Sequence, residues 1–135
     1  MSHFTSIHTR LVDKSALVAA LSDVGFDDVE VHDQAQQLYG YRGDKRRQTA
    51  EVIIRRQYVG SASNDIGFRR RDDGAFDAII SEYDRSKYGP KWIERLTQRY
   101  AYHVTRHQLN EQRFDVVKEE IQADGKIHLS LRRMI

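Results

Sequence analysis

The chain has 135 residues, 39% apolar and 31% charged, a balance that suits one globular domain over 1–135 able to withdraw roughly two thirds of its unfolded surface from water. With no cysteine it excludes disulfides, thiolate metal sites, iron–sulfur ligation and a cysteine nucleophile; no run approaches the ~18 apolar residues of a membrane helix, and the opening MSHFTSIHTR lacks the regions of a signal peptide, so a cytoplasmic protein with no membrane partner is expected. A net charge of +2 hides a gradient: residues 1–41 hold two basic and six acidic side chains, 42–71 nine and three, and 72–135 eleven of each.

In chain order, SHFTSIHTRLV reads as a first strand. Asp13 or Ser15 then offers an oxygen to the orphan N–H groups of a helix in which Leu17, Val18, Leu21 and Val24 recur at helical spacing before Gly25 stops it. From 29 to 82 the period changes to two. VEVH and QLYGYR give one or two strands, and AEVIIRRQYV a β-branched one, with the intervening GDKRRQ placing Lys45, Arg46 and Arg47 at a loop tip. DIGFRRR and AFDAII flank an Asp73-Gly74 turn. Alternation puts Ile66, Phe68 and Arg70 on one face and Gly67, Arg69 and Arg71 on the other, so three consecutive arginines cannot form one cluster. Arg70 is expected just past the core edge, its stem over apolar surface.

Pro90 suits the first turn of a long helix to Gln112, with Trp92, Ile93, Leu96, Tyr100, Val104 and His107 as its stripe. A second hairpin follows on Asp124-Gly125, with Ile127, Leu129 and Leu131 facing one way and His128, Ser130 and Arg132 the other. Two helices among hairpins predict an α+β fold: an antiparallel sheet with both helices on one face, in a ferredoxin-like arrangement.

Sixteen of the 22 cations are arginine, whose planar fork suits phosphate and carboxylate. Together with the basic middle segment this favours an anionic macromolecule, RNA, single-stranded DNA or an acidic protein, met at Tyr41, Lys45, Arg46, Arg47, Arg56, Tyr58, Arg69 and Arg71. Stacking aromatics beside arginines are what single strands require. The opposing interpretation is a charged edge that blocks strand addition.

For metal chemistry the sharpest pattern is His103, His107 and Glu111, at successive turns of the long helix, but it lacks the HExxH form, and the expectation is no catalytic residue, no metal and no cofactor. Neither phosphate-loop nor dinucleotide glycine spacing occurs in GYRGDKRR.

The opening SHFTSI, the central GYRG followed by AEVII, the DIGF with its turn to DGAFDAII, the helical QRYAYH and the closing DGKIHLSLRR together resemble one family, from Ser2 nearly to Arg133. It is the uncharacterised domain-of-unknown-function group that includes the hypothetical chloroplast reading frame thirty-five proteins of cyanobacteria and plastids. The resemblance implies a small single-domain protein, spread also through other bacteria and phages, and brings no activity, cofactor or catalytic residue. Where the family's pattern has an aspartate followed by tryptophans, this chain has SEYDRSKYG.

The leading expectation is thus a non-catalytic binding or adaptor domain. The alternatives are a structural or oligomeric component, phage-encoded, burying Tyr83, Tyr88 and Trp92 between chains, and a small metal-dependent enzyme on the histidine stripe.

Overall fold

The computed structural model describes residues 3–112 and 114–133. Along the chain run β1 (Phe4–His8), α1 (Lys14–Asp23), β2 (Val29–Tyr39), β3 (Lys45–Ile54), a one-turn helix α2 (Arg56–Val59), β4 (Ile66–Arg70), β5 (Phe76–Ser81), a short 3-10 turn (Asp84–Ser86), α3 (Pro90–Glu111), β6 (Phe114–Ile121) and β7 (Ile127–Arg133). The α+β class is as expected. Five strands form an antiparallel sheet in the order β1-β5-β4-β3-β2, and β6 with β7 forms a separate ribbon. A ferredoxin-like chain alternates β-α-β-β-α-β. Here β2 to β5 run as a meander before α3, and β1 closes the sheet beside β5.

Helix α1 starts where Asp13 accepts a hydrogen bond from the Ala16 N–H at 3.0 Å. The hydroxyl of Tyr100, on α3, accepts from the N–H groups of Val12 and Asp13 at 3.0 and 2.8 Å, fixing the entry to α1 against the longer helix. Leu17 and Leu21 of α1 and Trp92, Ile93 and Leu96 of α3 pack on Val52, Ile54, Ile66, Phe68, Phe76, Ala78 and Ile80, the inward residues of the sheet. Each fully buried aliphatic or aromatic side chain of this kind contributes about 1.5–3 kcal/mol. Tyr88 and Trp92, with ring centroids 5.3 Å apart and nearly perpendicular, close this core beside Phe26. Both are buried within the chain, which corrects the expectation of an inter-chain aromatic patch; Tyr83 alone of that trio is exposed.

The opposite sheet face is covered by the chain's own β2–β3 hairpin. Between Val31 and Gln36 strand β2 advances five residues while its partner advances two, from Val52 to Ala50, and this bulge bends the hairpin sharply. The distal half lies back across the sheet: Leu38 and Ala50 pack with Ile53 and Ile79, and Phe4 of β1 joins them. Arg46 of β3 sits 5.0 Å from the Phe4 ring centroid. In a flat sheet β1 would be about 14 Å from β3, three inter-strand spacings away, so the contact requires the fold-over. Gly67 makes it possible, because a Cβ there would lie 2.6 Å from the Ala50 Cβ and 3.0 Å from Leu38.

Three expectations from the sequence change. Lys45, Arg46 and Arg47 open strand β3 instead of capping a loop, since pairing begins at Tyr39 and Lys45. The β-branched run stops at Ile54, and RQYV becomes α2 because the Asp65 carboxylate accepts from the Arg56 N–H at 2.7 Å and turns the backbone. The α3 stripe ends before His107, which is exposed; Tyr102, seated toward the β6–β7 ribbon, is buried in its place. The two glycine turns hold as read: Gly74 and Gly125 adopt φ of 90° and 87° in their hairpins.

Candidate nucleic-acid interface

Where the folded hairpin tip meets α2, the chain leaves an open cleft of about 880 Å³. Its walls come from the β2–β3 tip (Tyr39, Tyr41, Arg42), the β3–α2 junction (Arg55, Arg56), Tyr58 of α2 and the start of β2 (Asp28, Glu30). The keystone is Asp65, fully buried at the start of β4. One carboxylate oxygen accepts from the Tyr39 N–H at 2.7 Å and from Arg55 at 2.8 Å, and the other from the Arg56 N–H. A neighbouring pair repeats the logic, as the Asn64 side-chain oxygen accepts from the Tyr41 N–H at 2.9 Å. The polar ends of two adjacent buried residues therefore hold the hairpin tip in place.

Arg55 is spent on structure. It grips Glu30 through two hydrogen bonds at 2.8 and 2.9 Å and meets Asp65 besides, with its guanidinium 5.3 Å from the Tyr39 ring centroid. Those bonds from Arg55, opposed by burial and aided by His32, hold the Glu30 carboxyl down at about 2. The same pairing with Glu30, against burial, pushes the Arg55 pKa up, so its charge is permanent and internally balanced. Arg56 donates to the carbonyls of Gly40 and Tyr41, and Arg42 stacks at 5.3 Å over Tyr41. Tyr58 stands half exposed at the rim.

Of the eight partner-binding candidates, the fold brings Tyr41, Arg56 and Tyr58 together in this cleft. Lys45 and Arg47 are exposed on the folded-over strand, and Arg46 is turned to Phe4, with Asp44 4.0 Å away. Arg69, near the far end of β4, and Arg71, just past it, lie about 10 and about 16 Å along the chain from Ile66 at ~3.3 Å per residue, and do not reach the cleft. Alternation separates the arginine triplet as read. Arg70 lays its guanidinium 4.2 Å over Phe76 and donates to the carbonyls of Val12 and Gly74. Arg71 pairs with Asp77 at 2.6 Å and donates to the Thr9 carbonyl, and Arg69 is exposed. Two of the three arginines thus lace the β4–β5 turn to the segment that leads into α1.

Residues 20–130 match the model of a family described as a protein of unknown function, DUF1257. The chain belongs to the DUF1257 family. Among its relatives are the uncharacterized protein ycf35 of Cyanophora paradoxa and that of Pyropia yezoensis, each 25% identical over 134 residues and covering 98% of both chains. No solved structure gives a significant match. The family description names no activity, so the chemistry of this DUF1257 chain is read from its own side chains.

The histidine stripe of this DUF1257 member is differently employed. His103 meets Asp23 through Nε2 at 2.6 Å, and the exposed His107 meets Glu111 at 3.2 Å. Burial pushes the Asp23 carboxyl up, but the hydrogen bonds from His103 and from Arg99 overcome it and leave the group below its ordinary value. These contacts tie α1 to α3. Among the described residues no group of three or more histidine, aspartate or glutamate side chains is arranged to hold a metal, and no helix is long and apolar enough to cross a membrane. The acidic half of the cleft, Glu30 and Asp65, escapes a reading of spacing, because Asp65 serves partners ten and 26 residues away.

Proposed function

We propose that the chain is a cytosolic, single-domain and non-catalytic binding module whose cleft engages single-stranded nucleic acid. The supporting observation is the convergence of Tyr39, Tyr41 and Tyr58 with Arg42 and Arg56 in one open cleft. Unpaired bases stack on aromatic side chains and arginine planes, while the phosphates they carry meet nearby cations. An acidic polypeptide is the weaker fit. Its carboxylates offer no π-faces to the three tyrosines.

Fluorescence anisotropy with a labelled oligothymidine tests this reading. With a phosphate at each of Arg42 and Arg56, and a slope of about 0.7 per contact for a single strand, affinity should fall roughly sevenfold between about 50 and 200 mM salt. Tyr58→Ala, at an exposed position, should remove about 1–3 kcal/mol of stacking. A flat salt response, or polyglutamate binding as tightly as the oligonucleotide, overturns it.

A further inference from the structure

Tyr58 has a second side. Beyond α2 the surface dips again into a groove of about 460 Å³, bounded by Tyr58 itself, Lys87, Tyr88, Trp92 and Arg95. Tyr88 and Trp92 are more than nine-tenths buried and form its floor, while Tyr58, 47% exposed, is the ridge shared with the tyrosine cleft.

The two depressions differ in charge. Three arginines line the cleft, but so do Asp28, Glu30 and Asp65, and Arg55 is neutralised by the last two. The groove has two cations on its walls and no carboxylate. Among the described residues neither Lys87 nor Arg95 has a carboxylate within ion-pair distance; the Lys87 ammonium rests 5.5 Å from the Tyr88 ring centroid. An exposed cation over an apolar aromatic floor, continuous with a stacking cleft, is suited to a phosphate lying between stacked bases.

We infer that the binding site is a track for a polymer: a single strand runs from the cleft over Tyr58 into the groove, where Lys87 and Arg95 each meet a phosphate. This rests on the nucleic-acid reading of the cleft and extends it from a pocket for a base or two to a path several nucleotides long. Lys87 and Arg95 lie outside the basic middle segment, and the fold brings them to it.

Anisotropy with a labelled thymidine trinucleotide and a dodecanucleotide, on the full chain and on the Lys87→Ala/Arg95→Ala double variant, tests the track. The longer strand should bind the wild type at least about tenfold more tightly, as one further stacked base would require. In the double variant that advantage should disappear, with the trinucleotide affinity unchanged. The slope of log affinity against log salt for the dodecanucleotide should become shallower by about 1.4, or about 0.7 for each lost phosphate contact. Equal affinity for both lengths, or a double variant with wild-type affinity and slope, overturns the track and leaves the cleft standing, provided Tyr58→Ala still weakens both strands. If the wild type binds neither strand, the cleft and the track fail together.

Discussion

The two long hairpins start from the same local signal and end differently. Both β2–β3 and β6–β7 alternate in period two and both are bulged, yet the first is folded over the sheet and built into a second small core, while the second stands as a two-stranded ribbon beside α3. The first is pinned by groups that cannot be left alone: the buried Asp65 carboxylate, the Arg55 guanidinium and the side-chain-free surface of Gly67. The second rests on Tyr102, on an Arg99–Glu119 pair at 3.4 Å, and on Ile127 and Leu129 facing the helix, and it leaves Val117, Ile121 and Leu131 exposed. A hairpin's fate is thus decided by a few long-range anchors, and the anchored one carries the candidate interface.

Removing the strongest anchor should have the largest effect. Asp65→Ala leaves the backbone N–H groups of Tyr39 and Arg56 without their acceptor and strips the Arg55 guanidinium of one of its two carboxylates, so urea denaturation should show a loss of about 2–5 kcal/mol, at about 1–3 kcal/mol for each orphaned donor. A loss below about 1 kcal/mol would mean that the hairpin tip is not held there. Gly67→Ala is the steric counterpart. Alanine normally favours a strand over glycine, but here its Cβ would meet Ala50 at 2.6 Å. The expected result is a loss of about 1–3 kcal/mol, typical of overpacking, and Gly67→Ala combined with Ala50→Gly should recover part of it. A stabilised Gly67→Ala protein would contradict the fold-over.

The difference between the hairpins also marks what the sequence could reveal. Local periodicity is enough to place α3, the two aspartate-glycine turns and the separation of Arg69, Arg70 and Arg71, because each depends on near neighbours. It does not reveal that the β2 bulge bends the hairpin across Gly67, since Leu38, Ala50 and Gly67 come from three strands. The β-branched run before Arg55 suggests a strand continuing through RQYV, and the Asp65 carboxylate, nine residues beyond Arg56, overrides that preference. For the same reason the candidate interface is half legible. Aromatic and basic composition points to Tyr41, Arg56 and Tyr58, whereas Lys45, Arg46 and Arg47 are carried elsewhere by the fold-over. The arginines that look available in sequence are largely consumed by carbonyls and carboxylates of the chain itself.

The weakly anchored ribbon should respond locally. Leu129→Ala trims a half-buried side chain beside Ala101 and Tyr102, and should cost about 1 kcal/mol or less of global stability, below the range for a fully buried leucine. Its signature is hydrogen exchange: the β6–β7 amides should exchange faster in the variant, with those of β4 and β5 unchanged. If the β4–β5 amides lose protection by the same factor, the ribbon unfolds with the core and the contrast between the hairpins collapses.

The smallest effect is electrostatic and belongs to the anchored hairpin. The folded chain holds Glu30 at about 2, below its ordinary value of 4.5, so between these values the unfolded state binds more protons and stability rises with pH. The contribution is complete above about pH 4.5 and is lost as pH falls toward about 2. Because the Glu30 side chain is 39% exposed, solvent screening should keep its share below about 1 kcal/mol. Glu30→Gln should therefore lower stability slightly at neutral pH and flatten the acid limb of the stability curve, with the two proteins converging near pH 2. Arg55 keeps Asp65 in the variant, so the hairpin should remain docked. Parallel acid limbs for wild type and variant would show that the Arg55–Glu30 pair holds no folding energy and that Asp65 anchors the cleft without it.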